Sequence, residues 1–96
     1  MITETSEPTH LLSEFLESPT ESIREKAFLK IVTHFSPLIY SSALRRSGSP
    51  DLSEDVTQSV LTLLARKSSS LRRHPSLTGW VFQTTRLETI KALRTE

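Results

Sequence analysis

Ninety-six residues make one small domain, large enough for a hydrophobic core but with little margin, and the absence of cysteine excludes disulfides and thiolate metal sites and fits a reducing cytoplasm. No apolar run approaches the ~20 residues that span a bilayer, and the acidic, polar start shows no secretory-signal pattern, so no membrane partner is expected. The net charge of +1 hides an asymmetry: residues 1–40 set Arg24, Lys26 and Lys30 against six glutamates, whereas residues 66–96 set Arg66, Lys67, Arg72, Arg73, Arg86, Lys91 and Arg94 against Glu88 and Glu96, which favours a polyanion at the C-terminal half.

Residues 1–8, MITETSEP, carry no hydrophobic period and read as a flexible tail, leaving 9–96 as the domain. Over Thr9–Glu17, Leu11, Leu12, Phe15 and Leu16 recur at helical spacing, and Pro19 stops the helix. Ser18-Pro19-Thr20-Glu21 then supplies a second start signal: a cap, a proline at the first helical position and a glutamate at the third. The helix so opened should run from Pro19 to about Arg46, with Ile23, Ala27, Phe28, Ile31, Phe35, Leu38 and Ile39 on its apolar face. Pro37 removes a backbone donor and predicts a kink or split near His34. Gly48, behind Arg45-Arg46, predicts a left-handed stop after a basic last turn.

Ser49–Lys67, SPDLSEDVTQSVLTLLARK, is the stretch around which the rest is organised. Asp51 is the expected cap, and Glu54 three residues on can reach back as in a capping box. Leu52, Val56, Val60, Leu63 and Leu64 form one apolar stripe. Roughly 180° away, at ~100° per residue, lie Glu54, Gln58, Leu61 and Ala65, a mixture that suits docking better than plain solvation.

Ser68-Ser69-Ser70 is a polar break, continued by Leu71-Arg72-Arg73-His74-Pro75 as a basic loop of ~10 residues. Ser76 opens the last helix. Its apolar residues do not share one side: Val81, Phe82 and Leu93 point one way, Trp80, Leu87 and Ile90 another, so that either two faces are buried or one awaits a partner. The predicted fold is all-α, a compact bundle of about four helices.

Glu54-Asp55-Val56-Thr57-Gln58, together with Leu77-Thr78-Gly79-Trp80-Val81 downstream, resembles region 2 of sigma-70 class sigma factors, most closely the extracytoplasmic-function (ECF) branch. The similarity spans about Phe28 to Arg94. It implies a transcription initiation factor domain without covalent chemistry or cofactor. By resemblance, the Asp51–Lys67 helix docks on the clamp helices of the RNA polymerase β′ subunit, with Asp55 and Gln58 in polar contact and Glu54 and Leu61 close by. The promoter −10 element, opened to expose its non-template strand, is the second implied partner. Arg66, Lys67, Arg72, Arg73 and His74 can neutralise its phosphates, although the loop holds no aromatic residue for a base to stack on. By resemblance the Trp80 helix faces the upstream edge of the −10 element, which makes Trp80 a DNA-binding candidate, although its apolar neighbours favour a core position. Gln83 and Arg86 follow it along one side, suited to reading adenine and to reading guanine or gripping phosphate.

Two departures from the family pattern stand out: Ser59 replaces a common glutamate, and Leu87 replaces a common asparagine. Gly79 stands where primary sigma factors carry a wedging aromatic, and a glycine there is usual for the ECF branch. The resemblance also admits an anti-sigma protein as a partner, and it implies that a chain ending at Glu96, before a C-terminal region 4 domain, is a fragment or an incomplete factor. His10, His34 and His74 lack ligand spacing, and no nucleophile–base pair or phosphate loop is visible, so neither a metal site nor an enzyme is expected. The rival reading is a small helical interaction module, a homodimer for example, that keeps a sigma-like core.

Overall fold

The computed structural model describes residues 8–95. Five helices follow in order: α1 (Thr9–Leu16), α2 (Glu21–Ser47), α3 (Pro50–Arg66), α4 (Ser68–Leu71) and α5 (Leu77–Arg94). With no strand among the described residues, the fold is all-α, as expected, with the one-turn α4 as an extra element. At ~1.5 Å per residue, the 27 residues of α2 set the long dimension of a body measuring 41 × 32 × 20 Å.

α2 is the central helix and packs against α1, α3 and α5. Its buried residues Ala27, Ile31, Phe35, Ile39 and Ala43 recur every fourth position. Each such step advances ~40° around the helix, so the buried stripe winds and one helix can serve three neighbours. Near its start, Phe28 meets Phe15 of α1 with ring centroids 5.6 Å apart, and Arg24 lies over the Phe15 ring. α3 returns antiparallel, burying Leu52, Val56, Val60 and Leu64. Both α1 and the buried Leu71 of α4 join the same core.

The boundaries show local chemistry overriding simple pattern reading. α2 starts at Glu21, not Pro19: Thr20 is the cap, its Oγ1 accepting from the Ile23 N–H at 3.2 Å. Ser18 closes α1 instead, donating to the Glu14 carbonyl. The cap of α3 is Ser49, whose Oγ accepts from the Leu52 N–H at 3.2 Å, with Pro50 as first helical residue. Asp51 therefore lies inside the first turn, and Glu54 is no capping-box partner. Pro8, read as tail, is buried at the start of α1, while the rest of that stretch, residues 1–7, lies outside the described residues.

Helix α2 is not split at Pro37. The ring sits on the exposed side, where solvent can reach the Thr33 carbonyl that loses its donor. Gly48 has φ +68°, the expected left-handed stop, and its N–H donates to the Leu44 carbonyl. The corner then closes through serines, with the Ser49 N–H donating to Ser47 Oγ and Ser47 Oγ lying 3.3 Å from Ser53 Oγ.

Only one face of α5 is buried, formed by Leu77, Val81, Thr85 and Thr89. Thr85 and Thr89 are fully enclosed, each hydroxyl donating 2.7 Å to the carbonyl four residues back. Ser53 and Thr57 on α3 do the same. Small polar residues that bond their own helix thus take buried positions that the apolar pattern does not mark. Phe82, Leu87 and Leu93 are left 39%, 51% and 43% exposed, so the helix is not buried on two sides.

Candidate functional site

The outer side of α3 follows from its inner one. Once Val56, Val60 and Leu64 face the core, Glu54, Asp55 and Gln58 must face solvent. Among the described residues these three side chains make no hydrogen bond or ion pair. Gln58 stands on a crest between two grooves. On one side α2 contributes Val32, Ser36, Pro37 and Tyr40 opposite Glu54, Thr57 and Leu61. On the other, α5 contributes Glu88 and Lys91 opposite Asp55, Thr62 and Arg66. Leu61 is buried at the floor of the first groove and presents little of itself. Tyr40 and Pro37 could not be assigned to this surface from sequence, because they lie on another helix and no local spacing links them to α3.

The basic stretch is more ordered than a loop. Arg66 ends α3, Lys67 is the turn, and Ser68–Leu71 forms α4, held by the buried Leu71 and by Ser68 Oγ donating to the Ala65 carbonyl. The expected ten-residue connection is therefore a helical turn plus a short bend. Lys67 and Arg73 are exposed and unpaired among the described residues, as is Arg66. Arg72 is different: its Nη2 donates to Glu17 Oε2 of α1 at 2.5 Å. His74 is engaged locally, its Nδ1 accepting from the Ser76 N–H at 3.0 Å. The structure thus leaves three of the five basic side chains free and commits two to holding the bend.

α5 follows directly. Ser76 is its cap, as expected, with Oγ accepting from the Gly79 N–H at 3.1 Å. A Cβ on Gly79 would come within 2.7 Å of that Oγ, so glycine here lets the cap approach closely. Trp80 is half-buried and packs against the core. Gln83 and Arg86 are exposed, and at ~100° per residue they share one outward stripe with Gly79, Ile90 and Arg94.

A model of the sigma-70 region 2 family matches residues 31–96, most of the chain and all of the α3 crest, the basic bend and α5. The chain belongs to the sigma-70 region 2 family. Comparison with curated proteins and with solved structures finds no match. A sigma region 2 domain takes part in transcription initiation and implies RNA polymerase core and promoter DNA as partners in general terms; the family is not a catalytic one. The sigma match begins inside α2, so α1 and the first turns of α2 lie outside it. No helix among the described residues is long and apolar enough to cross a membrane, and no group of three or more histidines or carboxylates there could hold a metal.

Proposed function

We propose that this domain is region 2 of an ECF-branch sigma factor acting in the cytoplasm. It docks on the β′ clamp helices through Glu54, Asp55 and Gln58 of α3, with Leu61 as the apolar floor, and engages the −10 element through the basic bend and α5. The observation that carries the reading is the unpaired, outward Asp55 and Gln58 on the crest between two grooves. A carboxylate there can take arginines of a coiled coil, and the amide can donate and accept at once. On the DNA side, Arg66, Lys67 and Arg73 supply unpaired cations, and Gln83 with Arg86 supplies groups able to read bases. Binding single-stranded −10 DNA needs no covalent step; opening a pair and unstacking a base costs a few kcal/mol, which backbone contacts can offset.

The test is capture of the domain by a β′ clamp-helix fragment. Asp55→Ala with Gln58→Ala should abolish capture while the domain stays folded by circular dichroism. Undiminished capture by the folded double variant would remove α3 as the docking surface. A second reading, self-association through α5, is favoured by the exposure of Phe82, Leu87 and Leu93. Sedimentation across a concentration series separates the two, since a dimer raises the mass and Leu87→Ser lowers it again.

A further inference from the structure

Arg72 belongs to the basic bend by sequence but to α1 by contact. Its Nη2 lies 2.5 Å from Glu17 Oε2 and 3.5 Å from Ser13 Oγ, across 55 and 59 residues of chain respectively. Ser13 and Glu17 are one turn apart and so face the same way. Both ends of the contact are anchored: Leu12 and Phe15 hold α1 in the core, and Leu71 holds the backbone beside Arg72. The Arg72 side chain is only 30% exposed, whereas that of Glu17 is 65% exposed. Glu17 also ends α1, where the last carbonyls disfavour a carboxylate. The pair is thus a fixed cation holding a loosely seated anion.

We propose that Arg72 and the Ser13 hydroxyl form a backbone-phosphate subsite, which Glu17 fills until nucleic acid displaces it. This rests on the promoter-binding reading of the basic bend. A carboxylate and a phosphate offer a guanidinium the same kind of charged oxygen pair, and a partly exposed ion pair is weak and salt-sensitive enough to exchange. Arg73, exposed and unpaired, binds first; Arg72 is released only by competition, which makes α1 a brake on non-specific binding.

The experiment measures binding of a fluorescein-labelled oligothymidylate of about 12 nucleotides to the full chain over a salt series. Glu17→Gln should tighten binding ~3- to 5-fold and steepen the log–log salt slope by about 0.7, one single-strand phosphate. Both gains should vanish in an Arg72→Ala background. Glu21→Gln removes the same charge where no ion pair exists and should change affinity by less than about 1.5-fold. A gain from Glu17→Gln that persists without Arg72, or no gain, overturns the proposal. If no form binds the oligonucleotide, the promoter reading itself fails. The subsite is then judged by titrating inorganic phosphate while following the Arg72 Nε–Hε resonance. Phosphate should shift it in Glu17→Gln and not in the wild type; equal response in both overturns the subsite.

Discussion

Gly79 shows how a residue chosen for one reason on sequence has another in the fold. As glycine at the wedge position it suggests only a missing aromatic, yet its N–H is the donor held by the Ser76 cap, and a Cβ would crowd Ser76 Oγ at 2.7 Å. Alanine gains ~1 kcal/mol of helix propensity over glycine, and loss of a serine cap costs ~1 kcal/mol. In Gly79→Ala the two should nearly cancel, whereas in a Ser76→Ala background the same change should stabilise by ~0.5–1 kcal/mol. Urea denaturation of the four proteins measures that coupling. Thr85 makes the complementary case. Its hydroxyl bonds a carbonyl of its own helix, so Thr85→Val strands no polar partner and should move stability by less than ~1 kcal/mol. A loss above ~2 kcal/mol would mean that the hydroxyl bonds across the core instead.

At the scale of elements, most of the apolar stripe of α3, the left-handed stop at Gly48 and the Ser76 cap were legible, because each depends on residues a few positions apart. Within the stripe, Leu63 is only partly buried, whereas Leu61, expected on the opposite side, joins the core. Helix starts were misread where two capping residues competed. Ser49 beats Asp51 because Pro50 is already suited to the first helical position, and Thr20 beats Ser18 because Ser18 is taken by Glu14. The α4 turn was hidden for a different reason: serine is a weak helix former. What holds the turn is the burial of Leu71, a position the serine run does not mark, together with Ser68 Oγ donating to the Ala65 carbonyl and Ser70 Oγ to the Lys67 carbonyl. Of the kink or split expected from the donor missing at Pro37, the split does not occur, since packing on both sides of it, through Phe35 and Ile39, keeps the helix continuous. Pro37→Ala should therefore stabilise the domain by ~1–3 kcal/mol, raising the melting temperature by at least ~4 °C for a domain of this size. An unchanged melting temperature would show that the backbone around Thr33 has already relaxed.

For the whole molecule, the sequence conveyed charge polarity but not which charges are spent inside the fold. Seven basic residues in the last third suggested one broad anionic site; two are bound internally or pair along their own helix, Arg72 to Glu17 and Lys91 to Glu88. What remains free among the described residues is a smaller set: Arg66, which lines the groove beside Asp55 and Gln58, and Lys67, Arg73, Arg86 and Arg94, which line neither groove beside Gln58. The two sets should accordingly be separable. Arg73→Ala with Arg86→Ala should weaken single-strand DNA binding and flatten its log–log salt slope by up to about 1.4, two phosphates at ~0.7 each. Capture by the β′ clamp helices should be unchanged, because neither side chain lines a groove beside Gln58. Asp55→Ala with Gln58→Ala should give the reverse pattern, and combining all four changes should add the two effects, as expected for sites without shared partners. Loss of both activities from either pair, with the fold intact, would mean a single shared surface.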